Sequence, residues 1–445
     1  MSAISSLKES LSFSLVLKLT SVIFTLVSAR FMGVDSFGEM FVSQQLLVSL
    51  SLFFLKETFR REAQRTDLST AFAWLSVVCT IVLSFILGVC WIHFFAANHF
   101  VVGILVLAVS CEAFAEPWLY MRLQRADYAC KIRAETVSNL VRSIALAFIV
   151  YFGGSKFEKS SFALAQLCFS ISWCTLIIDR SWPALGIPSS LPSGFLTLLS
   201  LSCVKLILTE IEKFFLLAWF DSSAWAQFGI VSNFGSLILR TFFAPIEDVA
   251  FSAFSRGDFA SLVPIFFLQT AVGLAAAAFG PAIAPEAVLV LYGNFWASQA
   301  SVIQLLRFYC ILIFLCAVNG ITEAHFFATA PPEKLKYAHS RQTAAAAVQI
   351  LTSFAFSKFG PVALVFGNSA GMIVRIIGCW TSLFTDVIKT NQSSYLAIIL
   401  GGSLSITLVL AEISPVTRVC AVVLFALLSL TPAIRQLWIF SKKID

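Results

Sequence analysis

The sequence is short of charge. Asp, Glu, Lys and Arg together make up 12% of its 445 residues, about half the roughly 25% of an ordinary soluble domain. So few charges cannot coat a water-soluble globule. The apolar excess, 59% of residues with a mean hydropathy of +0.89, recurs from end to end rather than in one block. A soluble enzyme, a disordered chain and a single-span receptor are therefore excluded. The eleven cysteines contain no CxxC pair. Cys168/Cys174 and Cys310/Cys316 are six apart, which is not a zinc-knuckle spacing. The four histidines do not cluster with acids or cysteines, so no metal is expected. There is no phosphate-binding P-loop, no dinucleotide fingerprint and no evident nucleophile–base pair. A membrane glycosyltransferase needs clustered acids on a loop, and the one close pair of that kind is Glu247-Asp248. The expectation is a protein that is not an enzyme, with no cofactor and no nucleic-acid partner.

What the chain does have is long apolar runs. Residues Ala71 to Cys111 contain no Asp, Glu, Lys or Arg over 41 positions, about twice the roughly 20 needed to cross a bilayer once. A turn near Asn98-His99 splits that run into a helical hairpin. Uninterrupted apolar runs lack the alternation of a membrane β-barrel. The reading is an all-α polytopic membrane protein with about fourteen spans, near 10–31, 38–56, 71–92, 99–120, 135–153, 161–178, 196–220, 226–247, 262–282, 300–324, 340–358, 361–384, 394–411 and 417–438. No cleavable signal pattern precedes the first. With a cytosolic N-terminus, eighteen Lys and Arg fall on cytosolic segments and five on the opposite side, so the positive-inside rule places both termini in the cytosol. Asn391-Gln392-Ser393 is a glycosylation sequon on the cytosolic side of this topology, expected to stay unused.

The remaining seven cations lie within spans: Lys18, Arg142, Lys205, Lys213, Arg240, Arg307 and Arg375. A cation at a lipid-facing helix centre costs about 2.5–3.5 kcal/mol, so the set cannot all face lipid. Some can snorkel or pair with Glu112, Glu116, Glu210, Glu212 or Glu323. The rest imply a wet, central cationic cavity suited to anionic cargo. Lys205, Thr209 and Glu212 share one face of the seventh span, with Glu210 and Lys213 beside them. That face either lines the cavity or locks helices together by ion pairs. Arg240 and Glu247 share a face of the eighth span, and Arg375 follows Asn368 by seven. Arginine suits phosphate because its planar fork makes bidentate contacts. Headgroup contact is thus expected first for Arg240 and Arg375, then for Lys205, Lys213, Arg142 and Arg307. Gating or charge pairing is expected of Glu57, Glu210, Glu212, Glu247 and Glu323. Lys56, Arg60 and Arg61 belong to the cytosolic surface, as positive-inside anchors, contacts to anionic lipid or a docking device between lobes.

Two segments look alike. Phe37-Gly38-Glu39, Gln45 and Phe54-Leu55-Lys56-Glu57 parallel Trp225-Ala226-Gln227, Asn233 and Ala244-Pro245-Ile246-Glu247. With the turn-rich stretch around Pro183, Pro188, Pro192 and Gly194, this suggests two six-helix lobes in parallel pseudo-repeat, 1–190 and 191–390, followed by two further helices and a tail over 391–445. Such lobes suggest alternating access by rocking.

Several segments carry a family resemblance: Phe54-Leu55-Lys56-Glu57-Thr58-Phe59-Arg60-Arg61; Glu116-Pro117; Leu208-Thr209-Glu210 with Glu212-Lys213; Asn233, Gly235-Ser236-Leu237 and Arg240, continuing to Pro245 and Glu247; and Asn319-Gly320 with Thr322-Glu323. In this order, over nearly the whole chain, they resemble the Rft family of eukaryotic dolichol-linked oligosaccharide translocation proteins. Lys56 departs from the Arg expected there. The resemblance implies a fold like the multidrug and polysaccharide-exporter superfamily, which includes the bacterial lipid II flippase. It implies translocation of a pyrophosphoryl-dolichol-linked oligosaccharide from the cytosolic to the lumenal leaflet of the endoplasmic reticulum for N-glycosylation. The implied partners are that lipid, membrane lipid and other N-glycosylation components. A non-transporting accessory factor and, further off, a cation-coupled small-molecule antiporter remain the alternatives. Lys442 and Lys443, third and fourth from the end of the sequence, resemble a dilysine retrieval signal of the endoplasmic reticulum.

Overall fold

A computed structural model describes residues 20, 24, 26–60, 70–124, 128–186, 195–255, 257, 262–330, 332–380, 384, 387–389, 391–410 and 414–444. Among them the ordered elements are all helical. The expected span at 10–31 lies largely outside these residues, and each of the other thirteen positions carries a helix. Nine helical stretches among the described residues are long and apolar enough to cross a membrane. The protein is a multi-pass membrane protein.

The chain forms two compact units, Met1–Ala226 and Gln227–Asp445. In the first, α1 runs from Val34–Glu39 through a π turn, Met40–Gln44, into Gln45–Phe54 and a second π turn, Leu55–Phe59. Then come α2 (Thr70–Phe95), α3 (His99–Phe114), α4 (Glu116–Gln124), α5 (Tyr128–Phe157), α6 (Ser161–Ile177) and α7 (Phe195–Trp219). Helix α8 (Ser222–Ile238) crosses the division and passes through a π turn, Leu239–Phe243, into α9 (Ala244–Ser255). The second unit continues with α10 (Leu262–Tyr292), α11 (Ala300–Thr329), α12 (Pro332–Ala355), α13 (Val362–Cys379), α14 (Gln392–Leu410) and α15 (Pro415–Ile444). This division groups α7 with the first unit, whereas the repeat reading sets it at the head of the second lobe. The first division follows packing; the second is the expectation from the two similar sequence segments.

The charge-free run folds as the hairpin its length required. Helices α2 and α3 pack together, and Asn98 caps α3 by accepting a 2.9 Å hydrogen bond from the Phe100 N–H. Helix α2 shows how a membrane helix inverts the soluble pattern. Val78, Ile81, Val82, Phe85, Ile86 and Val89, at helical spacing, are all exposed. Ser76, Thr80 and Ser84 are buried on the other side. A soluble helix would bury the apolar face; here it meets hydrocarbon. Helix α10 packs most extensively on α11. Gly273 permits this approach, because a Cβ there would collide with Ala317. Aromatic clusters fill the rest: Trp118, Phe169 and Trp173 in the first unit, Phe254, Phe266 and Phe384 in the second.

Candidate functional site

The first charged cluster joins the C-terminal end of α1 to α3 and α4. Arg60 donates through Nε and Nη2 to the two carboxylate oxygens of Glu116, at 2.7 and 2.9 Å. One turn earlier, Lys56 Nζ lies 2.9 Å from Glu112 Oε1. The pairs match because 56/60 and 112/116 share the i,i+4 spacing. The chain turns at Ala115, and Pro117, which has no N–H to donate, sits in the first turn of α4. Arg60 and Glu116 are buried, 8% and 3% exposed, and the guanidinium lies 5.8 Å from the Trp173 ring. Burial alone pulls the Arg60 pKa down, but the charge and hydrogen bonds of Glu116 outweigh it and hold it above its ordinary value. Arg60 was expected at the cytosolic surface; it is instead the buried half of a bidentate clamp. Glu112 and Glu116 were expected to neutralise cations within the spans. They pair with Lys56 and Arg60, the cations of the adjoining loop motif. Lys56 itself is half exposed. The side chain of Glu57, and Arg61 altogether, lie outside the described part of the structure.

A second cluster centres on Glu210 of α7. It accepts a 2.5 Å hydrogen bond from Ser49 of α1 and holds Lys213 at 3.0 Å, one turn along its own helix. Glu210 is buried, and Glu212 is also engaged. Lys205 lies on the same helix, with its side chain outside the described atoms. On α5, Arg142 donates to Asn139 Oδ1 at 2.9 Å and Gln166 Oε1 at 3.2 Å, and lies 5.5 Å from the Phe169 ring.

In the second unit the motif residues Glu247, Asn319-Gly320 and Glu323 come together. Gln269 of α10 donates through Nε2 to Glu247 Oε1 at 2.9 Å and to the Ala317 carbonyl at 3.1 Å. The Glu247 carboxylate rests directly on Gly320, where any Cβ would collide with it. One turn on, Glu323 accepts from Asn319 and lies within electrostatic reach of Arg375 and Arg341. Arg375 Nε is buried with no hydrogen-bond partner. Arg341 donates to the Gly378 carbonyl and lies 4.2 Å over the Phe326 ring. Asn368, seven residues before Arg375, accepts from Gln349. Arg240 falls on the π turn Leu239–Phe243, with its side chain outside the described atoms.

Arg307 has a separate role. Pro285 cannot donate the helical hydrogen bond that the Pro281 carbonyl would otherwise accept. Arg307 Nε of α11 supplies that donor at 3.1 Å. Sequence reasoning missed Gln166 and Gln269 as partners. It also missed the half-buried Arg418–Glu286 pair, at 3.1 Å between α15 and α10. For the first cluster the matched i,i+4 spacing of Lys56/Arg60 and Glu112/Glu116 is a signal in the sequence.

The family model described as Rft protein matches residues 2–440. The chain belongs to the Rft protein family. Among its Rft relatives, one from Mus musculus named Man(5)GlcNAc(2)-PP-dolichol translocation protein RFT1 is 26% identical over 409 residues, covering 78% of this chain and 75% of that protein. A Caenorhabditis elegans protein of the same name is 26% identical over 484 residues, covering 92% and 90%. Two solved structures share the fold of this Rft chain. The lipid II flippase MurJ in an inward closed conformation superposes with a TM-score of 0.68 at 12% identity, over 97% of this chain and 99% of that one. An inward-facing multidrug resistance MATE family transporter of the MOP superfamily gives 0.53 at 16% identity, over 83% and 96%. The polytopic exporter fold expected from the motifs is thus the fold of this Rft protein.

Proposed function

We propose that this Rft protein moves a pyrophosphoryl-dolichol-linked oligosaccharide from the cytosolic to the lumenal leaflet of the endoplasmic reticulum membrane for N-glycosylation. The observation that carries the reading is the Rft match over residues 2–440, with relatives named for translocation of such a lipid. The protein acts as a carrier rather than a catalyst, by alternating access of an exporter-type fold, with both termini in the cytosol and Lys442 and Lys443 as a retrieval signal. The division into repeats at 1–190, 191–390 and 391–445 belongs to this reading.

The intramembrane cations divide by what they already hold. Lys213 has Glu210, Arg142 has two side-chain amide oxygens, and Arg307 has the Pro281 carbonyl. These three are positioning residues that fix helices. Arg375, with an open Nε, leads as headgroup ligand, and Arg240 and Lys205 are assigned with it by their place in the sequence. A pyrophosphate accepts bidentate donors of this kind. The test is reconstitution of purified protein into liposomes with a fluorescent pyrophosphoryl-dolichol oligosaccharide, with leaflet exposure read by an impermeant lectin. Protein-dependent movement that falls in Arg375→Ala and Arg240→Ala supports the reading.

The engaged state of Lys213, Arg142 and Arg307 favours a second reading, an accessory factor whose buried charges are structural. It predicts no movement from folded protein, and lower protein abundance when those residues are changed.

A further inference from the structure

The first unit contains a cavity of about 770 Å³ that none of the charged clusters uses. It lies within the 300–1,000 Å³ range of small-molecule sites. The start of α1, the α2–α3 turn, the α5–α6 connection and the α7–α8 connection all border it. It therefore sits at one end of the unit, opposite the Arg60 clamp at the far end of α1. In the proposed orientation that end is lumenal.

Its lining is specific. The π turn Met40–Gln44 sets Ser43 and Gln44 side by side on the wall, below Glu39. Gln44 is 5% exposed. Its Nε2 donates to the Lys159 carbonyl at 2.9 Å, while its Oε1 is buried with no partner. A buried acceptor left open is costly and calls for a donor. Trp91 is fixed by donating to Ser43 Oγ at 3.0 Å, and Trp225 by donating to the Leu216 carbonyl at 2.8 Å. At the rim Glu39 and Lys159 approach to 3.8 Å, too far for a hydrogen bond, so the Glu39 carboxylate keeps acceptor capacity. The same wall holds Ala96 at φ +49°, in the left-handed region a side chain rarely adopts without a compensating reason.

A single cation beside a carboxylate does not make a pyrophosphate site. Apolar side chains such as Ile92, Phe95 and Val102 share the wall, but a lipid tail would leave the Gln44 amide oxygen and the Glu39 carboxylate without donors. Acceptors framed by two indole rings suit a ligand with several hydroxyl donors and an apolar C–H face. We propose that this cavity binds a neutral hexose unit of a glycan, with Gln44 Oε1 and Glu39 accepting from its hydroxyls. The chemistry stands on the cavity alone; only the assignment of that hexose to the lipid-linked headgroup, met on the lumenal side, rests on the proposed function.

The test is titration of lipid-free oligomannose glycan into detergent-purified full-length protein, followed by tryptophan fluorescence and calorimetry. Saturable binding is expected, weakened roughly tenfold by Gln44→Leu, the loss of about one hydrogen bond. Glu39→Gln, at the partly exposed rim, supplies a variant that spares the interior and weakens binding less. Inorganic pyrophosphate is expected not to compete. Absence of saturable binding to protein with a native melting profile overturns the proposal. So does equal affinity in both variants, competition by pyrophosphate, or preference for the organic cation tetraphenylphosphonium. Glycan binding with no transbilayer movement breaks the proposed function alone; movement with no glycan binding breaks this inference alone.

Discussion

The two motif clusters solve one problem in different ways. On α1, α3 and α4, each buried carboxylate has its own cation: Glu116 has Arg60 and Glu112 has Lys56. On α9, α10, α11 and α13, the carboxylates lean on neutral amides, Glu247 on Gln269 and Glu323 on Asn319. Arg375 stands near Glu323 with Nε unused. A closed ion pair cannot exchange partners without stranding a buried charge. A carboxylate held by amides beside a guanidinium whose Nε has no partner can share that cation with an anionic ligand. We read the first cluster as a lock and the second as the exchangeable one.

The largest expected effect breaks the lock. Arg60→Met strands Glu116 in the interior and should destabilise the protein by about 3–5 kcal/mol. Thermal melting in detergent and steady-state abundance check this. Adding Glu116→Leu should recover most of the loss, since a buried pair exchanged for apolar residues is often neutral. If the double variant melts as low as the single one, the pair does more than neutralise.

Next, Arg375→Ala should lower reconstituted translocation roughly tenfold or more, the scale of one charged hydrogen bond, while melting stays near wild type. A fall in melting that accounts for the lost transport would move Arg375 into the same structural class as Arg60. Gly320→Ala drives a Cβ into the Glu247 carboxylate and should cost about 1–3 kcal/mol by overpacking. Coupling between Gly320→Ala and Glu247→Ala, measured as a double-mutant cycle in melting, tests whether that contact is the cause. The smallest effect sharpens the lock. Glu112 Oε2 has no partner, and an arginine at 56 can reach both oxygens. Lys56→Arg should therefore be neutral or stabilising by up to about 1 kcal/mol, read as a small upward shift in melting temperature.

Much of this was legible because membrane insertion writes itself into local composition. The run from Ala71 to Cys111 had to fold as a hairpin, and α2 and α3 do. The motifs around Arg60, Glu116, Glu247 and Glu323 carry the family resemblance by residue type and order alone. Their division of labour was not legible. Lys213 and Arg142 read as cargo ligands beside Arg375, because a cation in a span reads the same whether its nitrogens are filled by a carboxylate, by amides or only in part. Arg307 shows the limit clearly. The proline at 285 announces a free carbonyl at 281, but not that a side chain from α11 will fill it.

The sequence by itself determined the class, the helix positions and the family, because hydropathy, spacing and motif order are properties of short stretches of chain. Only the tertiary structure decided which charges are paired and which keep an unpartnered atom, and that a tryptophan-lined cavity with polar groups on one wall lies at the end of the first unit. Those depend on which helices become neighbours, and a buried charge or an unfilled acceptor acquires its meaning from the residue across the gap.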